Sequence, residues 1–253
     1  MENFPPIAGP FEGWLAALEE RHLASFTTAE VGRALRALSS CYVERRSRLM
    51  EGAALETAGK RAAFALFYAP LHFLTTARIL RRLGPHTAVQ SVVDLGCGTG
   101  SAGAAWALHS GVTGITGFDR HPWAVDEANW TYRTLGLRGK ALRQDLGRVR
   151  VDPAPGQGIL AAYAINELSE VTRDAWLPRL LQAAGRGSTI LIVEPIARRT
   201  APWWREWEDA FVAAGGRADE WRFSEALPQR QRDLARSAGL DPRELTARSL
   251  FAG

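Results

Sequence analysis

Two kinds of hydrophobic spacing divide this chain. In its first third, apolar residues recur three and four apart, as the faces of helices do. Phe11, Trp14, Leu15 and Leu18 form one such face, and Val31, Ala34, Leu35, Leu38, Cys41 and Tyr42 form a second. Thr27, followed by Glu30 three residues later, carries the capping-box signature that opens the second helix. A third helical pattern covers residues 59–83, with Pro70 predicting a kink or break inside it and Gly84-Pro85 predicting its end. From Gln90 onward the spacing changes to short apolar runs alternating with helical stretches, which argues a parallel sheet with right-handed crossovers.

Within that second region a strand passes through Val92 and Val93 and feeds a helix running from Ser101. Residues 114–118 read as the second strand, followed by a helix from Pro122 to Leu135 with Gly136 as its stop. Residues 140–143, 159–165 and 189–193 supply the third to fifth strands. Between the last two lies a helix with Trp176, Leu177, Leu180 and Leu181, whose start is obscured by Pro178 and whose end is Gly185. Pro202 opens another helix with Trp203, Trp207, Ala210, Phe211 and Ala214 on one face, ending at Gly215-Gly216. Its tryptophans read as core packing ahead of an aromatic platform for a base. A strand around residues 221–223, a helix over 228–238 and a last strand over 244–251 bring the sheet to about seven strands. The division expected is a helical cap over residues 1–88 and an α/β domain over 89–253. The cap packs beside the sheet in the commoner arrangement; the other arrangement makes it a lid.

Composition changes this picture little. The chain has 253 residues, a net charge of +4 and a pI near 9.5, with Lys60 and Lys140 as its only lysines. Such a balance permits a nucleic-acid partner without indicating one. Cys41 and Cys97 offer neither a disulfide framework nor metal-ligand spacing, so a reducing cytoplasm is expected. Residues 1–10 lack the basic head and apolar core of a signal peptide, and the apolar run over 62–74 is short for a bilayer and contains Pro70. The expectation is a soluble protein with no membrane partner.

The candidate chemistry lies where the first strand meets its helix, in Asp94-Leu95-Gly96-Cys97-Gly98-Thr99-Gly100. A strand, a glycine turn and a helix N-terminus make a nucleotide-type site. Read from Gly98, residues 98–103 fit G-x-G-x-x-G, the dinucleotide fingerprint. Read from Asp94, the run is D-x-G-x-G-x-G, which resembles the first motif of class I S-adenosylmethionine (SAM) methyltransferases. Asp94 separates the two, because a carboxylate there would repel a pyrophosphate yet can hold SAM's cationic amine, directly or through water. Asp119 ends the second strand twenty-five residues beyond Asp94, where one carboxylate can accept hydrogen bonds from both ribose hydroxyls. Trp123 follows closely enough to lie on an adenine, although plain packing explains it equally well, and His121 is expected to cap its helix. Asp145, after Gln144 at the third strand's end, sits where the resembled enzymes receive the adenine amino group. The expected cofactor shell is Asp94, Gly96, Cys97, Gly98, Gly100, Asp119, Arg120, Gln144 and Asp145. The fold expected is thus the Rossmann-like class I methyltransferase sheet with an N-terminal helical segment.

A narrower resemblance covers residues 60–253. Pro70 in an aromatic helix, the glycine motif, Ala162-Tyr163-Ala164-Ile165-Asn166-Glu167-Leu168, Glu194-Pro195, and Trp221-Arg222-Phe223-Ser224 with Leu227-Pro228 resemble, in order, the mitochondrial small-ribosomal-subunit assembly methyltransferase-like family and its bacterial relatives. That family carries a cysteine cluster, implying an iron–sulfur site, before its tryptophan run. Here residues 198–220 contain no cysteine, Arg222 stands in a cysteine's place and Tyr68 in an arginine's. No iron–sulfur cluster and no metal site are therefore expected.

Ligands of open α/β sheets lie beyond the carboxyl ends of the strands. Tyr163, Asn166 and Glu167 are accordingly expected to border the reacting methyl, with Glu167, Tyr163 or His72 as a base if the acceptor is a hydroxyl or phenol. The acceptor stays open among RNA or a ribosomal component, a small molecule, and no acceptor at all in a SAM-binding assembly factor. The oligomeric state is also open.

Overall fold

A computed structural model describes residues 8–44, 55–196, 201–224, 227–240 and 244–253. The side chains of Cys41 and Tyr42, placed on the second helical stripe above, lie outside the described residues, as do residues 1–7 and 198–200.

Seven strands form one sheet in the order β3-β2-β1-β4-β5-β7-β6. They are β1 (Ser91–Leu95), β2 (Gly114–Asp119), β3 (Arg138–Arg143), β4 (Gln157–Ala162), β5 (Thr189–Glu194), β6 (Arg217–Phe223) and β7 (Leu245–Ala252). The first five run parallel, and β7 enters antiparallel between β5 and β6. This is the sheet of the Rossmann-like class I methyltransferase fold. β1 is central, with Val93 opposite Thr116 of β2 on one side and Ile159 of β4 on the other. Because β4 and β5 lie on the far side of β1 from β2 and β3, the chain direction switches between β1 and β4, the place where open α/β sheets form their ligand crevice.

Side chains alternate between two faces of the sheet. Leu191 and Val193 point to one core with Trp106, Phe73, Trp14 and Leu35, while Ile190 and Ile192 point to a second with Trp176, Trp207 and Phe211. Helices α5 (Ser101–His109) and α6 (Pro122–Thr134) cover the first face; α7 (Glu170–Gly185) and α8 (Trp204–Ala213) cover the second. Ser169 caps α7 through Thr172 N, so the helix starts well before Pro178 and carries that proline inside. Trp203, Trp204 and Trp207 are buried, as core packing requires.

The N-terminal helices join the first core. In α1 (Ala8–Leu23), Trp14 stacks on Phe73 at 5.6 Å, and Arg21 and His22 reach the fully buried Glu127 of α6 at 3.1 and 2.6 Å. In α2 (Thr28–Glu44), Thr27 and Glu30 exchange the two bonds of the capping box. Arg36 donates to the Ala238 carbonyl at the end of α9 (Gln229–Ala238), where a cation meets a helix C-terminus favourably.

Pro70 does not break its helix. Ala58–Ala63 (α3) continues through a π-helical turn, Phe64–Tyr68, into α4 (Ala69–Leu83). A proline leaves unbonded the carbonyl four residues earlier, here that of Leu66. Gln231, fully buried on α9, donates its Nε2 to that oxygen at 2.8 Å. Gln231→Leu is therefore expected to lower stability by about 1–3 kcal/mol, the cost of an unmet buried carbonyl; chemical denaturation measures it. The helical segment Ala58–Thr87, which contains the 62–74 run, is by length and composition long and apolar enough to cross a membrane. Its most apolar stretch is 83% buried within the protein, which accounts for its composition.

Candidate active site

The turn after β1 is built on three left-handed glycines, Gly96, Gly98 and Gly100, with φ of 70°, 53° and 76°. Cys97 N donates to the Phe118 carbonyl (2.9 Å) and Gly98 N to Asp119 Oδ2 (2.9 Å), which ties the loop to the end of β2. Gly100 caps α5 in the left-handed conformation. A Cβ on Gly98 would fit without a clash, its nearest neighbour being Phe64 Cζ at 4.0 Å, an ordinary van der Waals contact.

Asp94 is placed differently from the expectation. It is 1% exposed and accepts from Gly103 N at 3.1 Å, bracing the loop against α5 from beneath and leaving no direct reach to a ligand's amine. A Cβ at Gly103 would come within 2.5 Å of Asp94 Oδ2, which explains that glycine without a dinucleotide. Burial raises the Asp94 carboxyl to about 7, against the Gly103 N–H, with the charge of Asp119 adding to the rise. Cys97, 7% exposed, packs with Tyr132 under the loop; burial raises both groups, and a contact with ligand is left to the Cys97 main chain.

Asp119 stands partly exposed at the end of β2. Its two oxygens accept from Gly98 N and from His121 N (2.8 Å), and burial raises its pKa while those N–H groups oppose the rise. Each oxygen keeps a second lone pair for a hydroxyl. His121 occupies the N-cap position of α6 but makes no side-chain cap bond, contrary to expectation; its backbone serves Asp119 instead. Trp123 packs edge-on near His22 and His121. Arg120 is exposed beside them, and its carbonyl accepts from Arg143 Nε at 3.3 Å. Gln144 N donates to the Asp119 carbonyl at 2.8 Å, and the Gln144 side chain donates to the Arg148 carbonyl. Asp145 Oδ1 accepts from Gly147 N at 2.8 Å and so closes its own turn.

The fourth strand stops at Ala162, three residues before the predicted end. Tyr163 takes a left-handed φ of 59°, rare for a side-chain-bearing residue and costly enough to mark a site. Its N–H still donates to Val193 O at 2.7 Å, and a short 3-10 turn, Ile165–Glu167, follows. Asn166 turns away from the crevice. Its N–H and Nδ2 donate to the buried Glu194 at 3.0 and 2.9 Å, and its Oδ1 accepts from Trp203 Nε1 at 2.9 Å. Both ends of the amide are thus occupied, and the expectation that Asn166 faces the acceptor gives way to a positioning role. Glu167 is partly exposed at the end of the same turn.

Three rings completing this site are supplied by the helical segment: Phe64 and Tyr68 from the π turn and His72 from α4. His72 stacks on Tyr163 with centroids 4.1 Å apart and planes 18° apart, while Phe64 meets His72 edge-on at 5.9 Å. Tyr68 lies 5.8 Å from Phe64, and its hydroxyl is 3.0 Å from Ser39 Oγ of α2. Desolvation pushes His72 down to about 3, so the ring is neutral and a weak base. Burial likewise pushes the Tyr163 phenol above its ordinary value. Pro70 among aromatic residues was the sequence signal for this wall; the π turn that aims the rings leaves no periodic trace.

Burial raises Glu194 to about 8, with the Glu167 charge adding to the rise and Asn166 and Arg248 opposing it. An acid that keeps its proton longer folded than unfolded loses that contribution as pH rises through the folded value. His72 and His109, held at about 3 and 4, act oppositely but only below their ordinary 6.5. Between pH 6.5 and 9 the melting temperature of the ligand-free protein is therefore expected to fall, and Glu194→Gln or Asp94→Asn to flatten the decline in thermal melts.

Residues 74–170 match the family model described as a methyltransferase small domain. Among solved structures, the chain is similar to a SAM-dependent methyltransferase from Aquifex aeolicus at 14% identity, covering 82% of this chain and 97% of that one, TM-score 0.47. It is similar to magnesium protoporphyrin IX methyltransferase from Synechocystis PCC 6803 with bound SAH at 11% identity (86% and 98% covered, TM-score 0.46). A third similarity is to the plantazolicin methyltransferase BpumL in complex with a monoazolic desmethylPZN analog and SAH, at 14% identity (94% and 99% covered, TM-score 0.46). No curated protein matches the chain. Sheet order, glycine loop and matched domain together define a SAM-dependent methyltransferase of the class I fold.

Proposed function

We propose that this chain transfers a methyl group from SAM to RNA or a protein component of the small ribosomal subunit, and that it works in the cytoplasm. The residues fit the cofactor: a left-handed glycine loop with room for a Cβ at Gly98, and an acid at the end of β2 with a free lone pair on each oxygen. In this reading Asp119 holds the ribose hydroxyls, and the main chain of Gly96, Cys97 and Gly98 lines the methionine arm. Asp94 keeps the loop in shape, and residues 144–145 border the adenine. SAM supplies a methyl on a sulfonium, activated for in-line displacement. The protein's part is alignment and exclusion of water, with Glu167 placed to take a proton where the acceptor must lose one.

The observation that carries the acceptor class is a basic rim beside the cofactor crevice. Arg120 and Arg143 are exposed there, and burial first, then the charges of Arg61 of α3, Arg120 and Arg143, hold the His121 ring below its ordinary value while Asp119 opposes them, a gathering of cations that suits a phosphate backbone. The resemblance to the ribosomal assembly family, read from residues 60–253, points the same way. Tritiated SAM with purified small subunits, and separately with their extracted RNA, tests the reading. Label retained in RNA or in a ribosomal protein is the expected result; label reaching only low-molecular-weight acceptors from a cell extract would sink it. A small-molecule acceptor is the second reading, favoured by the ring-lined wall formed with the helical segment.

A further inference from the structure

We propose that Phe64, Tyr68, His72 and Tyr163 form the acceptor-binding wall of this enzyme, and that the wall takes a flat, uncharged aromatic or heteroaromatic ring. The proposal rests on the methyltransferase reading and narrows its acceptor. Position is the first ground. Gly96 and Tyr163 are the residues immediately after β1 and β4, the two strands that flank the switch of chain direction, so both stand at the mouth of the crevice. A Cβ on Gly96 would touch Ala164 Cβ at 2.5 Å, which shows how closely the two strand ends meet. Phe64 Cζ lies 4.0 Å from where a Cβ on Gly98 would stand.

Pre-organisation is the second ground. Left-handed backbone at Tyr163, its N–H on Val193 and its hydroxyl bond to Thr75 fix the ring against His72. The π turn brings Phe64 and Tyr68 to the same group, and Ser39 meets the Tyr68 hydroxyl. Rings locked in this way lose little entropy on binding a flat partner. Of the four residues, Phe64 is buried and the other three are partly exposed.

Charge is the third ground. The wall contains no arginine or lysine, and His72 is neutral at physiological pH. Behind it Glu194 is held mostly protonated near neutrality. An anionic acceptor finds no cation in the wall, and the quadrupoles of the rings favour a neutral π-face. Two sources supply such a ring: a nucleobase turned out of RNA and a free heteroaromatic molecule.

Indole is the probe, titrated by saturation-transfer NMR into full-length protein saturated with SAH, with cyclohexanemethanol as the apolar control that is not flat. Indole is expected to bind, the control to bind at least tenfold more weakly, and His72→Leu and Tyr163→Leu each to weaken indole about tenfold or more. Tyr163→Phe is expected to retain binding. Melting temperature and SAH affinity of each variant show that the fold stands. Displacement of indole by a single-stranded oligoribonucleotide assigns the ring to a nucleobase, and its persistence assigns a free molecule; both uphold the wall. Equal indole binding by both leucine variants, equal binding of the control, or no indole binding to the SAH-loaded protein overturns it. Failure of the wild-type protein to bind SAH, read in the same titration, brings down the cofactor reading and the wall with it.

Discussion

Replacing Asp119 with alanine is expected to weaken SAM binding about a hundredfold or more while the protein stays folded. Each hydrogen bond from a ribose hydroxyl to a carboxylate is worth about 1.5–3 kcal/mol, and two are proposed here; about 1.4 kcal/mol corresponds to a tenfold change in affinity. Loss of the carboxylate also frees Gly98 N and His121 N, which it now holds at 2.9 and 2.8 Å, so the loop loosens where it must be rigid. Asp119 is partly exposed, so water replaces these bonds and the fold survives. Asp119→Asn keeps oxygen acceptance on one side and should fall between the two. Calorimetry with SAM checks the order, and wild-type affinity in the alanine variant would remove Asp119 from the site.

Asp119 was legible in the sequence because its information is local: an acid closing a β-branched run before a proline-started helix. The glycine loop was legible for the same reason, as were the strands and their order of appearance. What the sequence left hidden is long-range. Asn166 reads as a polar residue at a strand end, yet Glu194 and Trp203, twenty-eight and thirty-seven positions away, turn it inward. Asp94 reads as a ligand-facing acid until α5 folds back over it and presents Gly103 N. His121 had a helix to cap, but its backbone was taken by Asp119. The early end of β4 has no compositional signal, since the tyrosine at φ 59° is held there by its neighbours and not by its own preference.

Gly96→Ala is the second large effect, and it falls on stability. An alanine would have to hold φ near 70° and place its Cβ 2.5 Å from Ala164 Cβ. Left-handed backbone costs about 1–2 kcal/mol, and overpacking about 1–3 kcal/mol. A loss of about 2–5 kcal/mol lowers the melting temperature of a chain this size by roughly 5–15 °C. Gly136 provides the control, with the same φ of 70° and nothing within 4 Å of where a methyl would stand, so Gly136→Ala should lose only the backbone part. Because the Gly96 main chain is proposed to line the methionine arm, the Gly96 variant should also shed SAM affinity. Equal melting temperatures for the two variants would mean that the loop yields freely to the strand end it touches.

The π turn makes this part of the chain sensitive to insertions and deletions. Each residue of an α-helix advances the chain by about 100° of rotation, and a π turn holds one residue more than regular winding needs. Losing a single residue between Phe64 and Tyr68 would therefore leave regular winding with the faces of α3 and α4 still in register, and only the residues of the turn itself would change direction. The backbone would gain regular bonds while the spacing that brings Phe64 and Tyr68 to His72 was lost. A relative one residue shorter in this helix is therefore expected to have the straighter helix without the ring wall, and to lose the preference for a flat acceptor with it.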